Sequence, residues 1–450
     1  MRRGAPVSSA PHVEPLPAVT EEDFCAIDFG TSNSAIAVPD DAAPSGMTLV
    51  PLENGQPTMP TSVFYLAEGP ELQNLPRLFG RAGIAAYTEG HEGRLMRSMK
   101  SVLGSSLMDQ HTDIGAGRSV SFADVITGYL LRLKRSAEAH TGRTLKRVVL
   151  GRPVHFVDED DARDAQAQAA LEAAARAVGF ESVGFQYEPL AAAFHYEATV
   201  ADEQHVLVAD IGGGTSDFSV VRVGPAHRER LDRRDDVLAN HGLHIAGTDF
   251  DRRVELASIL PELGYGTFGP AIGGQPAREV PSRIYFDLAT WHIVNTLYRP
   301  QRIAEVRAMK VNFANPVLHQ RLLTVLTDHL GHDLLGRAER AKIEVADGGQ
   351  ASIDLRLVER GLQVTLEDAQ AQAALRDDVA RIVAAAHEAV QMAGLAPERI
   401  DALYFTGGST GLRLLTDALS AGFPAARPVH GERLASVATG LGLYARRLWA

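Results

Sequence analysis

With 450 residues, 45% hydrophobic and 22% charged, the chain has the composition of an ordinary folded protein, which excludes disordered and collagen-like classes and leaves room for two or three domain-sized cores. Its 44 basic residues against 56 acidic ones give a net charge of −12, so no global basic footprint for nucleic acid is expected and partners should be proteins or small molecules. The single cysteine, Cys25, can form no intrachain disulfide, no Cys/His cluster has zinc spacing, and no run is long and apolar enough for a membrane span; a reducing, cytoplasmic setting is expected.

Residues 1–20 carry Arg2 and Arg3 and then four prolines without an apolar core, which reads as a disordered tail and not as a secretion signal. The ordered chain opens with a strand, a small-residue turn and a second strand over Phe24–Val38, and short strands punctuated by prolines follow over 47–66. Helical periodicity marks Phe122–His140, and Arg147–Gly151 reads as a short buried strand. The alanine-rich stretch Asp158–Val178 reads as a helix whose acidic start suits the positive helix N-terminus.

A second strand–turn–strand unit over His205–Val221 repeats the logic of the first. Each has an apolar strand, an Asp, a turn of glycine and hydroxyl residues, and another apolar strand; the two aspartates, Asp28 and Asp210, lie 182 positions apart. That spacing is what duplication of an α/β half would leave. Residues 21–200 are therefore expected to form one lobe and 201–450 another, the second with an excursion at about 251–370. Within it, 285–298 and 317–345 read as helices and 351–366 as strands. A helix over 368–393 stopped by Gly394 follows. A last strand runs into the turn at Gly407-Gly408-Ser409, ahead of a helix over 411–420.

The paired turns carry the chemistry. Gly-rich turns let backbone N–H groups approach a phosphate while nearby Thr and Ser hydroxyls add donors, and two such turns facing each other form a clamp. An Asp at the end of each strand suits Mg²⁺, which keeps most of its waters and is held by one or two carboxylates and the phosphates of its substrate. The Gly407-Gly408-Ser409 junction suits close approach of backbone to a base or ribose.

These elements, in this order, resemble the superfamily of actin, sugar kinases and seventy-kilodalton heat-shock ATPases. Asp28-Phe-Gly-Thr-Ser-Asn-Ser34 and Asp210-Ile-Gly-Gly-Gly-Thr-Ser-Asp217 look like the DnaK-type phosphate loops. Glu188-Pro-Leu-Ala-Ala-Ala193, Gly247-Thr-Asp-Phe-Asp251 and Glu339-Arg-Ala-Lys342 look like its connecting, second-lobe and adenosine-side motifs. Gly151-Arg-Pro-Val154 and the short length resemble a YegD-like group of DnaK homologues without the peptide-binding domain. The resemblance implies an α/β, actin-like ATPase fold of two ribonuclease-H-like lobes around a nucleotide cleft, binding ATP or ADP with Mg²⁺.

Carried over by position, Asp28 and Asp210 would hold hydrated Mg²⁺, and Asp217 with Thr215 would arrange the attacking water. Gly30, Thr31, Ser32, Asn33, Gly212, Gly213, Gly214 and Thr215 would cradle phosphates. Glu188 would position water and Lys100 would be the catalytic lysine. Glu339 and Lys342 would contact ribose, and Gly407, Gly408 and Ser409 the adenosine. Read from the residues alone, Lys100 with Arg94 and Arg97 also fits a solvated basic face, and Glu339 with Lys342 an exposed helical charge pair.

Ile343 and Gly411 stand where DnaK proteins carry Arg, with Arg413 nearby. The Gly- and Pro-containing stretch at 255–335 fits either a longer loop or a partner site. The expected activity is weak ATP hydrolysis coupled to lobe closure on an unidentified protein partner. A metabolite or sugar kinase, a filament-forming scaffold and a nucleotide sensor without turnover are the alternatives on the same fold.

Overall fold

Two strand–turn–strand units anchor two sheets of the same design. In the first, β1 (Phe24–Phe29), β2 (Asn33–Pro39) and β3 (Met47–Leu49) pair antiparallel in succession, while β4 (Arg147–Arg152) and β5 (Ser182–Tyr187) add parallel strands beyond β1. In the second, β6 (Gln204–Ile211), β7 (Ser216–Val223) and β8 (Val237–Leu243) repeat the antiparallel run, and β9 (Ala402–Thr406) and β10 (Arg427–His430) add parallel strands beyond β6. The shared strand order is the structural counterpart of the repeated sequence unit. These features come from a computed structural model that describes residues 23–449 apart from 68–75, 106, 109, 116, 158–159, 272–275, 292 and 432–435. The expected tail at 1–20 lies outside the described residues.

β1 and β6 are apolar at successive positions because both faces of their sheets are covered. On the outer face of the first sheet, Ile27, Phe29, Ile36 and Leu150 pack under the helices Phe122–Thr141 and Asp161–Ala177. The first of these helices begins at Ser121, whose hydroxyl accepts the Asp124 N–H at 3.1 Å, and ends at Gly142 in the left-handed conformation. The acidic start of the second has the same kind of cause: the Asp160 carboxylate accepts the Arg163 N–H at 3.0 Å, and Asp164 pairs with Arg152 at 2.7 Å.

Between the sheets lie the helices Glu188–Glu197 and Ser436–Trp449, joined with apolar residues of β1, β4, β6 and β9 in one core. The last helix, within the span assigned by sequence to the second lobe, thus lies against strands of the first sheet. The opposite face of the second sheet buries Leu207, Phe218 and Phe405 against helices Asp368–Met392 and Arg413–Gly422.

The excursion is folded around a core of its own. Val254, Leu260, Tyr285, Leu322, Leu334 and Leu366 are among its buried residues, which combine helices with a hairpin of Gln350–Asp354 and Gln363–Glu367. The stretch 255–335 is therefore not an extended loop: its glycines and prolines punctuate short helices, as at Leu260–Leu263, which stops at Gly264 with φ +104°. No helix among the described residues is long and apolar enough to cross a membrane.

Candidate functional site

The two hairpin turns face one cleft of about 1030 Å³ lined by residues of both sheets and of the excursion. Asp28 is the penultimate residue of β1, and Asp210 stands directly opposite Asp217 in the β6–β7 register. All the carboxylates and turn residues named from the sequence line this cleft, as do Lys100, Glu188, Glu339, Lys342, Gly407, Gly408 and Ser409. The turns nearly touch: a Cβ built on Gly213 would lie 2.8 Å from the Ser32 hydroxyl oxygen.

Glycine is required at particular points by backbone proximity. A Cβ on Gly30 would meet the Asn33 carbonyl oxygen at 2.1 Å, and one on Gly407, at φ +85°, would meet the Ile211 carbonyl at 2.5 Å and Asp210 at 2.6 Å. Gly214 faces open space. It is free for approach by a ligand.

Lys100 is buried on a short turn, Met99–Val102, with its Nζ 2.5 Å from Glu188 Oε1. The basic-face alternative therefore fails: burial beside a carboxylate is the opposite of a solvated charge. Glu188 begins its helix just after β5, and at the adjacent strand end Gly151 leaves it room, since a Cβ there would stand 3.0 Å from Glu188 Cγ. Burial works against the Lys100 charge, but Glu188, Asp28 and Asp210 outweigh it and hold its pKa above the usual lysine value.

The acids respond in the opposite direction. Burial, then the Glu188 charge, pushes Asp28 up to about 8, with Lys100 pulling it back; burial, then Asp217 and Glu188, pushes Asp210 up to about 7. The cleft floor thus concentrates carboxylates that a bound cation would relieve. Among the described residues, no group of three or more His, Cys, Asp or Glu side chains could hold a metal ion by itself. That donor set fits a hydrated Mg²⁺ whose remaining ligands are waters and phosphate oxygens.

On the excursion side, Lys342 is not paired with Glu339, as a simple helical charge pair would be. Its Nζ lies 2.7 Å from Asp251 Oδ1. Burial pushes Asp251 up to about 6 against the pull of Lys342. Ile343 is 62% exposed and lines the cleft with Ala346, Gly411 and Leu412, giving this end an aliphatic wall. The backbone N–H of Arg413 donates to the Ala346 carbonyl at 3.2 Å, tying its helix to the same wall.

At the mouth, where Trp291 and Arg97 line the cleft, side chains from before the excursion and from within it meet. Tyr87 stacks on Trp291 with ring centroids 5.3 Å apart, the Arg97 guanidinium carbon stands 4.3 Å from the Trp291 centroid, and His332 lies 4.8 Å from Trp291. Both ring nitrogens of buried His332 lack hydrogen-bond partners. Burial, with Arg97 nearby, lowers its pKa to about 4, so the ring is neutral near pH 7.

Comparison with known proteins agrees with this geometry. The model of the Hsp70 protein family matches residues 24–257, slightly more than half of the chain. The chain belongs to the Hsp70 family. Over 238 residues it is 32% identical to the chaperone protein DnaK of Thermosipho melanesiensis, a stretch that is 52% of this chain and 35% of that protein. The alignment thus spans about a third of its relative's length. The two like sheets around a cleft are the actin-like ATPase fold of this Hsp70 chain.

Several cleft residues escaped the sequence reading. Asp251 ended a recognised motif but carried no assigned role, and its pairing with Lys342 comes only from folding. Trp291 lines the cleft although no local motif surrounds it, and Arg97, which lines it too, was read only as part of a basic face. Thr61, which touches the first turn directly, sits in a stretch whose composition says only strand, and Thr248, which touches the second, lay inside the recognised Gly247–Asp251 motif with no role of its own assigned.

Proposed function

We propose that this Hsp70-family chain binds ATP or ADP with Mg²⁺ in the cleft between its sheets and hydrolyses ATP slowly, closing the lobes and passing that state to a protein partner. The observation that carries the reading is the meeting of two glycine turns at a floor holding Asp28, Asp210, Asp217 and the Lys100–Glu188 ion pair. Such a floor supplies backbone donors, a buried cation and carboxylates, which is the equipment phosphoryl transfer needs, because catalysis there rests on positioning and charge neutralisation.

Asp28 and Asp210 would hold Mg²⁺ through its waters, and the ion would neutralise charge on the phosphates. Lys100 brings a positive charge to the transferring group, and Glu188 fixes the ammonium by its 2.5 Å contact. Asp217 and Thr215, which line the same cleft, would orient water. The excursion supplies the nucleoside side through Glu339, Lys342 and Ile343, and Leu412, just after the turn that follows β9, completes the aliphatic wall. Gly407 and Gly408, in that turn, permit close approach of the backbone.

Thermal unfolding with MgADP and MgATP tests the reading. Ligand at a hundred times its Kd adds about 2.7 kcal/mol to native stability, so a clear rise in Tm is expected, together with slow release of phosphate from ATP. An unchanged Tm at millimolar nucleotide would remove the proposal. A pull-down that recovers different proteins in the two nucleotide states is the expected sign of the partner.

A further inference from the structure

In both turns the backbone carbonyls are tied back. The hydroxyl of Thr61 donates to the Gly30 carbonyl at 2.7 Å, and the Thr61 N–H donates to the Ser32 carbonyl at 2.9 Å. Ser34 Oγ lies 2.8 Å from Thr61 Oγ1 and, since the Thr61 proton is spent on Gly30, Ser34 is the donor of that pair. Thr61 is buried, and its segment is itself held by the buried Tyr129 hydroxyl, 3.1 and 3.0 Å from the Met59 and Pro60 carbonyls.

The second turn is tied from elsewhere in the chain. The Gly212 carbonyl accepts the Ser409 hydroxyl at 2.7 Å and the Gly247 N–H at 3.2 Å, and the Gly213 carbonyl accepts both the N–H and the hydroxyl of Thr248 at 2.8 Å. The helix Gly247–Val254 thus uses two of its unpaired N-terminal donors on the carbonyl side of this turn. The Ser409 hydroxyl, which the family pattern would give to adenosine, has its proton committed to the phosphate turn.

A trans peptide points its C=O and the following N–H in opposite directions. Fixing the Gly30, Gly212 and Gly213 carbonyls therefore fixes the N–H groups of Thr31, Gly213 and Gly214, and these three residues line the cleft. The geometry points to Thr61, Thr248 and Ser409 as positioning residues for phosphate: their hydroxyls are spent on the turn carbonyls and hold the two turns so that amide donors face an anion between them. This assignment rests on the nucleotide reading above and names what aims its anion donors. It also separates the lobes, since the first turn is braced by its own sheet's neighbour Thr61 while the second depends on the start of the excursion and on the turn after β9.

The test uses the full chain and the affinities of MgADP and of adenosine, by calorimetry and displacement. Thr248→Val keeps the shape and removes the hydroxyl of an exposed residue; Thr61→Val does the same in a buried place, and Thr61→Ser and Thr248→Ser restore the donors. Each Val variant should weaken MgADP about tenfold, equivalent to about 1.4 kcal/mol, leave adenosine within twofold, and be rescued by Ser. Equal losses for MgADP and adenosine, or unchanged MgADP affinity, would overturn the assignment. Should Thr61→Val fail to fold, Thr248→Val alone decides it. Wild-type protein that binds no MgADP would instead remove the nucleotide reading, and the positioning role with it.

Discussion

The floor and the mouth of the cleft are built by opposite means. At the floor, two short turns meet so closely that a single Cβ at Gly213 would press on Ser32 at 2.8 Å. The charges there are Asp28, Asp210, Asp217, Glu188 and Lys100, gathered within a few strand ends. At the mouth, rings far apart in sequence, Tyr87, Trp291 and His332, meet across the opening with Arg97. Backbone proximity and charge allow almost no substitution, whereas ring contacts can part and re-form. On the proposed function, the difference implies a division of labour: the floor would supply phosphate binding and chemistry, and the mouth would set how readily a ligand leaves.

The largest expected effect breaks the floor. Gly213→Val puts a β-branched side chain where even a first carbon collides, so MgADP binding should fall by a hundredfold or more, with far-UV circular dichroism unchanged. Gly213→Ala, whose single added carbon meets only the Ser32 side chain, its hydroxyl at 2.8 Å, should cost less than Gly213→Val. Unchanged MgADP affinity in Gly213→Val would show that the second turn does not depend on its close packing against Ser32.

Next is the buried cation. Lys100→Ala should slow single-turnover ATP hydrolysis roughly a hundredfold, the scale of losing one electrostatic group that acts on developing charge, while MgADP affinity changes severalfold at most. That split marks an interaction made mainly in the transition state. Turnover unaffected by the substitution would take Lys100 out of the chemistry and leave it as a counter-charge for Glu188.

The acids sharpen the same comparison through pH. Folding raises Asp28 from 3.8 to about 8 and Asp210 from 3.8 to about 7, so between about pH 4 and 8 the folded, ligand-free protein holds protons that the unfolded chain has released. The contribution of these two acids to stability then falls as pH rises through that window. Asp28→Asn, which keeps the shape without the charge, should lessen the loss between pH 5 and 8 by about 1 kcal/mol, allowing for the water that screens an open cleft. It should also abolish the extra stabilisation that Mg²⁺ adds to bound ADP. Parallel Tm-against-pH curves for the variant and the wild type would count against the crowded-carboxylate account.

How much of this was legible follows the same line between floor and mouth. Both hairpins and their aspartates could be read because strand, turn and charge lie within about fifteen consecutive residues, and the repeated strand order followed from the repeat. Lys100 was found only through the family pattern; its neighbours Arg94 and Arg97 argued equally for an exposed face, and burial against Glu188 decided the matter. Within the excursion the helices expected at 285–298 and 317–345 correspond to observed helical segments, whereas the longer-loop reading of 255–335 fails because glycines and prolines that end short helices have the same composition as a loop. Thr61 gave no signal and Thr248 only a motif without an assigned role, since a hydroxyl that holds a distant carbonyl leaves no local pattern.

The smallest expected effect tests the mouth. Trp291 is touched by Tyr87 and His332 and carries Arg97 over its face. Glu339 is near enough to favour the Arg97 charge, which links this cluster to the nucleoside side of the cleft. An aromatic pair contributes about 0.5–1.5 kcal/mol beyond burial, and a cation over a ring about 0.5–2 kcal/mol. Against that gain stands buried His332, both of whose ring nitrogens lack partners and would recover water if these rings parted. The net restraint is therefore modest. Trp291→Ala should speed dissociation of a fluorescent ADP about three- to tenfold, with association and phosphate release little changed, and Trp291→Phe should fall between it and the wild type. If dissociation stays the same in both variants, the rings are a resting contact and the floor alone retains the ligand.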